Sequence, residues 1–292
     1  MTSPVTPVAA AVRQGPSARP RSSVWPAPQP SQSEDQTQPS IVVLHGFLGS
    51  HRNLAAMARQ WTERQVVRLY LVDLLGHGMA PTMPLGTTLR DMATEVRAHC
   101  RSAGLAHRVS IVGHSLGGVV ALQWACDHPE DVERVVVLDV TPTLRLEGRS
   151  PEIVLRNLLA APDSTSTRDE MRDALRRSGE LPESVVEWLL TNLERAEDGR
   201  SMWRFDRKAL ADFRERLRDV DLWPVVEGGR MRVDCVRGGL SDFVQAEDVA
   251  RYERAGCTVA TIEGAGHNLH VERTSEVVAA LIGLFGESLG PR

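Results

Sequence analysis

The stretch Val109-Ser110-Ile111-Val112-Gly113-His114-Ser115-Leu116-Gly117-Gly118-Val119 decides the fold. The apolar run Arg108 to Gly113 reads as a buried strand, and Leu116 to Cys126 has the period of a helix. The chain must therefore turn from strand to helix within Gly113-His114-Ser115-Leu116-Gly117. So tight a turn strains the residue at its apex and admits only small residues two positions to either side, which accounts for Gly113 and Gly117. Gly118 relieves the first helical turn further. The bend lifts the Ser115 hydroxyl above the carboxyl ends of the strands and sets it at a helix N-terminus, where negative charge is favoured. Ser115 is thus the candidate nucleophile; a glycine-rich structural turn is the competing reading.

Outward from this turn, strand and helix alternate. Strands are expected over Ile41 to His45, Val66 to Asp73, Glu133 to Val140, Met231 to Arg237 and Cys257 to Ile262. Helices are expected over Ala55 to Thr62, Leu89 to Arg101, Ala246 to Ala255 and Glu276 to Phe285. Alternation of this kind makes a parallel sheet covered on both faces, an α/β fold. It is broken by residues 144–222, which are charged, carry Leu and Trp at helical spacing and are punctuated by Pro151 and Pro182. They read as a helical cap on a core made of 41–143 and 223–292. Trp188, Leu189, Leu193 and Trp203 of the cap either form an apolar wall over a substrate or simply pack the cap down. Residues 1–40 hold eight prolines and no acidic residue before Glu34; such a segment buries little apolar surface and is expected to lack structure.

A serine hydroxyl needs a neighbouring base. Gly264-Ala265-Gly266-His267 follows the last strand, and its glycines let the imidazole fold back over the sheet, so His267 is the candidate base. His270 is the competitor; with no third ligand at a sensible spacing, the pair does not read as a metal site. The base needs a carboxylate to fix its tautomer. Asp139, at the end of one strand, and Asp242, after the next, both face the right rim, and the residues leave the choice open. The oxyanion donors would be the backbone N–H groups of Leu116 and of Phe47 in His45-Gly46-Phe47-Leu48-Gly49-Ser50. His45, Gly46 and His114 adjoin these groups and are expected to touch substrate. Asp73-Leu74-Leu75-Gly76-His77-Gly78 reads as a structural turn in the site wall, and His99, His107 and His128 as solvated residues near helix ends.

The bulk numbers are those of an ordinary globular protein. Of 292 residues, 42% are hydrophobic and 25% charged, with a net charge of −4. This balance gives no reason to expect nucleic acid as a partner, and no apolar run approaches the ~20 residues that span a bilayer. Lys208 is the only lysine; scattered arginines among Asp and Glu point to compositional bias rather than a phosphate-binding face. Four cysteines lie far apart and read as reduced thiols, although Cys235 and Cys257 fall on neighbouring strands where a bridge is conceivable. No cofactor or metal is expected. The location is expected to be cytoplasmic, or an organelle (mitochondrion or plastid) if Arg13, Arg19 and Arg21 belong to a transit peptide. A monomer or dimer is expected.

HGFLGS, DLLGHG, GHSLGG, a helical cap and GAGHNLH occur in the order of the α/β-hydrolase superfamily. LDVTPT, the cap stretch Asn192 to Arg204, and Arg237 to Val244 further resemble the YbfF-type bacterial esterases and their organellar abhydrolase-domain relatives. The resemblance implies a cap inserted after the sixth strand, in that fold's count. It implies a serine hydrolase that cleaves small acyl esters or thioesters through an acyl-enzyme on Ser115. It favours Asp139 as the acid, with Ser241 as a supporting hydrogen-bonding group and Asp242 as the alternative. Relatives also carry an antiparallel hairpin before the Ile41 strand; either Trp25 is its remnant or the edge hairpin is lost here. The rival functions are a non-hydrolytic or C–C bond-cleaving enzyme of this fold, and a ligand-binding receptor that retains the triad.

Overall fold

The computed structural model describes residues 22–25, 40–105, 108–144 and 149–286. The chain first lays down β1 (Ser22–Trp25), β2 (Ser40–Leu44), α1 (His51–Arg64), β3 (Arg68–Val72), α2 (Leu89–Ser102), β4 (Val109–His114), α3 (Leu116–Asp127) and β5 (Val132–Leu138). An insertion follows, with α4 (Arg149–Ala160), β6 (Ser164–Thr165), α5 (Arg168–Arg176), α6 (Glu183–Leu190), β7 (Leu193–Arg195), β8 (Ser201–Trp203) and α7 (Arg207–Arg216). The core then resumes with α8 (Trp223–Glu227), β9 (Arg232–Gly238), α9 (Ala246–Arg254), β10 (Val259–Ile262), α10 (Leu269–Glu272) and α11 (Thr274–Gly286).

Seven strands form one sheet in the order β1-β3-β2-β4-β5-β9-β10. All pairings are parallel except that of β1 with β3. The strands expected from the apolar runs all appear, within two residues at each end. Their side chains alternate between two apolar layers, as the pleat requires. Val42, Leu44, Ile111, Val135 and Val137 face α2, α3 and the cap. Ile41, Val43, Val112, Val136 and Leu138 face α1, α10 and α11. Helix α3 is buried from Leu116 to Ala125, so the element that carries the sharp turn is clamped on every side. Each fully buried Val or Leu contributes roughly 1.5–3 kcal/mol, which is why the strained turn at its start can persist. With the strands parallel, the carboxyl ends of β2, β4, β5, β9 and β10 share one rim.

Two expectations are corrected. Ser22–Trp25, inside the stretch read as lacking structure, forms β1 against the edge of β3, with Ser22 opposite Val72 and Trp25 opposite Leu69. The free edge of β3 is a row of unpaired backbone groups that an added strand satisfies. Among the described residues one strand precedes β2, and the insertion follows β5. The cap is also not wholly helical: β6, β8 and β7 form a small antiparallel sheet. Its hairpin turns at Glu197-Asp198-Gly199, where Gly199 takes φ 83 and Ala196 N donates to Arg200 O at 2.8 Å. Asp-Gly is a strong hairpin signal, and it was masked by the charged, helix-like context. All four cysteines are free, so Cys235 and Cys257 are not bridged.

Candidate active site

Ser115 sits at φ 51, ψ −118 between β4 and α3, a conformation that costs a non-glycine residue of order 1–3 kcal/mol. The glycines around it are obligatory. A Cβ on Gly113 would lie 2.3 Å from Gly117 O, and one on Gly117 would lie 2.6 Å from Leu44 O. The apex is held by Ser115 N donating to Leu138 O at 3.0 Å. The first intrahelical bond of α3 runs from Gly118 N to Ser115 O at 2.9 Å, so the Leu116 N–H precedes the helical ladder and remains a donor at the helix N-terminus.

The loop after β2 lies directly against this turn: a Cβ on Gly46 would be 2.8 Å from His114 Nδ1 and 3.3 Å from Ser115 Cβ. Gly46–Gly49 is a tight turn closed by Gly49 N to Gly46 O at 3.0 Å, with Leu48 at φ 59. His45 braces it, since its Nδ1–H donates to Gly46 O at 2.8 Å while Nε2 accepts from Leu74 N at 3.0 Å; these partners assign the tautomer. From the cap, the buried Asn192 donates through Nδ2 to Leu48 O at 3.1 Å. Below the loop, Asp73 accepts from His51 N at 2.6 Å, from Met79 N at 2.8 Å and from the His51 ring at 2.9 Å. Burial pushes its carboxyl up, but these donors outweigh burial and hold it below the usual carboxylate range.

His267 follows β10, and its Nδ1 lies 2.8 Å from Asp139 Oδ2. Asp139 is fully buried, at φ 53. Its Oδ1 accepts Gly238 N at 2.9 Å, and its Oδ2 also accepts a short hydrogen bond from the Ser241 hydroxyl. Phe243 N donates to Ser241 Oγ at 3.3 Å, and the Phe243 ring stacks on His267 with centroids 3.7 Å apart and planes 16° apart. Asp139, Ser241, Phe243 and the His267 imidazole therefore form a closed circuit of contacts. Asp242 is exposed and lies outside it.

His114 joins the imidazole loop to the turn. Its Nε2–H donates to His267 O at 2.9 Å, and its ring packs 4.8 Å from that of His267 and 4.3 Å from that of His270. Ser115 is the next residue along, so its hydroxyl and the His267 ring share the same rim. Ser115 and His267 form no hydrogen bond among the described residues; before substrate binds, catalytic hydrogen bonds are often long.

Of the residues expected to touch substrate, His45 spends both ring nitrogens on Gly46 O and Leu74 N, and buried His114 donates Nε2–H to His267 O. Both rings thereby brace the loops on either side of Ser115. Phe243 and Asn192 both lay in stretches singled out by motif, yet no local spacing rule relates either to His267 or Leu48. His270 is buried, with its ring packed against that of His114. His99 is half-buried, with its Nε2 enclosed, and His107 lies outside the described residues. In the cap, Leu189 and Trp203 are buried in the main apolar cluster, with Trp188 and Leu193 packed against it.

Burial drives the imidazoles of His77 and His270 down from about 6.5 to about 3. It also lowers His45, and it sends His114 well below the ordinary range. Unfolding exposes these rings to protonation. Between about pH 6.5 and pH 3 the unfolded chain therefore binds more protons, and folding stability must fall as pH falls. His77 and His270 should each cost about 2 kcal/mol between pH 6.5 and 5, at about 1.4 kcal/mol per unit. Urea unfolding at pH 7 and pH 5 checks this; an unchanged midpoint would contradict the burial of neutral rings.

Among the described residues, the side chains close enough together to suggest a metal are His128, Glu130 and Asp131. Asp131 is already paired with Arg97 at 2.6 Å and Arg101 at 2.5 Å, and two guanidinium groups oppose a further cation there. No helix among the described residues is long and apolar enough to cross a membrane.

The comparisons with known proteins agree with this fold. A family model described as "Alpha/beta hydrolase family" matches residues 41–281. The sn-1-specific diacylglycerol lipase ABHD11 of Mus musculus is 28% identical over 257 residues, covering 85% of this chain and 81% of the relative. Esterase YbfF of Escherichia coli is 26% identical over 257 residues, covering 87% and 95%. Among solved structures, one titled "Marine microorganism esterase" superposes with a TM-score of 0.76 at 24% identity, covering 90% of this chain and 97% of that one; at that identity the likeness speaks for the fold.

Proposed function

The chain belongs to the alpha/beta hydrolase family, and we propose that it is a carboxylic ester hydrolase working through an acyl-enzyme on Ser115. The observation that carries this reading is the 2.8 Å pair between His267 Nδ1 and Asp139 Oδ2, tied to the Ser115 turn through His114. An Asp139 carboxylate accepting Nδ1–H leaves the lone pair of His267 on Nε2, the nitrogen free to take the Ser115 proton. Gly238 N–H and the Ser241 hydroxyl hold that carboxylate in place. Phe243 fixes the plane of the ring.

The alkoxide attacks the acyl carbon, and the developing oxyanion is received by the N–H groups of Phe47 and Leu116, each worth roughly 100–1000-fold in rate. His267 passes the proton to the leaving alcohol or thiol. Water activated by the same imidazole then releases the acid and restores Ser115. Substrate enters between the strand rim and the cap, residues 144–222. The relatives named as a diacylglycerol lipase and an esterase support acyl esters as the substrate class.

A panel of p-nitrophenyl esters and acyl-CoAs of graded chain length tests this. Turnover of the esters, with one acyl length preferred, is expected. Binding of acyl compounds without turnover, together with no labelling of Ser115 by a fluorophosphonate, would instead mark a receptor that keeps the fold.

A further inference from the structure

We propose that Asn192 of the cap is a positioning residue for the oxyanion donor at Phe47, so that turnover requires this part of the cap to be seated. The inference rests on the acyl-enzyme reading above. Asn192 is fixed inside the cap by its own backbone: its N–H donates to Leu189 O and its carbonyl accepts from Arg204 N, both at 3.0 Å. Its side chain is buried and reaches across to Leu48 O, the carbonyl that follows Phe47 by one residue.

Leu48 is where that turn is under strain. A leucine at φ 59 is in the left-handed region that costs side chains with a Cβ. Such a conformation persists only when its surroundings over-determine it. Three hydrogen bonds do so here. Two come from the core, Gly49 N and His45 Nδ1 to Gly46 O. The third is the Asn192 amide, and it alone acts on the strained residue itself and comes from the cap. Without it, Leu48 can relax toward negative φ, and the four-residue turn rearranges around Phe47. The donor then moves off the point where negative charge develops. Since a donor acts on the oxyanion and not on the ground-state carbonyl, the loss should appear in kcat more than in KM.

Other bonds hold the cap to the core without touching this turn. Asp212 Oδ2 accepts Gly86 N at 2.8 Å, and Leu222 N donates to Pro142 O at 3.2 Å. They supply the control. In the full-length protein, Asn192→Ala and the isosteric Asn192→Asp are compared with Asp212→Ala, using p-nitrophenyl butyrate and a trifluoromethyl ketone that adds to the serine as an oxyanion adduct. Both Asn192 variants should lose about 10–100-fold in kcat with KM changed less than about threefold. Affinity for the ketone should fall by the same factor as kcat. Asp212→Ala should keep wild-type kcat. Thermal unfolding confirms that each variant is folded, and Asn192→Asp, which preserves shape, stands in should the alanine variant fail to fold. A rise in KM at constant kcat, or an equal loss of kcat in Asp212→Ala, would overturn the proposal. Wild-type ester turnover alongside unaffected Asn192 variants would sink this inference alone, whereas a wild type that turns over no ester would take the acyl-enzyme reading with it.

Discussion

Ser115→Ala should leave a folded protein whose kcat for short p-nitrophenyl esters falls by about a million-fold, to a residue supplied by the oxyanion donors and binding alone. The size follows from the position of this one oxygen. In the proposed mechanism every other group at the rim serves it. The elbow strains its backbone to φ 51 to lift it clear of the sheet, Gly46 lets the oxyanion loop come against its Cβ, and Leu116 N–H lies one residue on. None of these groups can attack a carbonyl. Removing a single hydroxyl leaves the packing of α3 untouched, so the thermal midpoint should move little, and loss of activity cannot be assigned to unfolding. Fluorophosphonate labelling should vanish in parallel. Retained turnover with a folded Ser115→Ala variant would remove this residue from the mechanism, and labelling that persists at another site would name its replacement.

The parts of the site that could be read from the sequence are those where the backbone itself makes the demand. Gly113 and Gly117 are dictated by contacts of 2.3 and 2.6 Å that any Cβ would make, so the turn announces itself locally. The position of His267 at the strand rim was legible for a similar reason: Gly264, at φ 68, opens the loop that turns the chain back over the sheet. What the sequence concealed depends on side chains meeting across large separations. His45 and His114 look like site-facing groups because they adjoin the loops that matter. That Nε2 of His45 accepts from Leu74 N and Nε2 of His114 donates to His267 O, 29 and 153 positions away, is a property of packing. The small sheet of the cap escaped because strands of two and three residues are too short to show a period of two. The β1 edge strand, four residues in a proline-rich stretch, escaped for the same reason.

Asp139→Asn should reduce kcat by about three to four orders of magnitude, whereas Asp242→Asn should leave it within about threefold of wild type. Both aspartates follow strands that end at the same rim, so the sequence left the choice open. What separates them is where the side chains go. Asp139 is fully buried, with Gly238 N, the Ser241 hydroxyl and His267 Nδ1 all converging on its two oxygens; Asp242 is exposed. In Asp139→Asn the amide can keep the contacts of Oδ1 by presenting its carbonyl to Gly238 N. Its NH2 group then faces Nδ1 of His267 and the Ser241 hydroxyl. A donor at that place requires Nδ1 to accept, which moves the imidazole proton to Nε2, the nitrogen that must take the Ser115 proton. The ring is then held in the wrong tautomer, and the imidazolium formed during attack has lost its counter-charge. KM should change little, because neither effect touches bound substrate. Kinetics of the two variants on one ester, with melting curves to confirm that both fold, decide the matter. Equal losses in the two variants would mean that the carboxylates act interchangeably. A loss confined to Asp242→Asn would mean that the 2.8 Å pair is structural and that His267 takes its orientation from elsewhere.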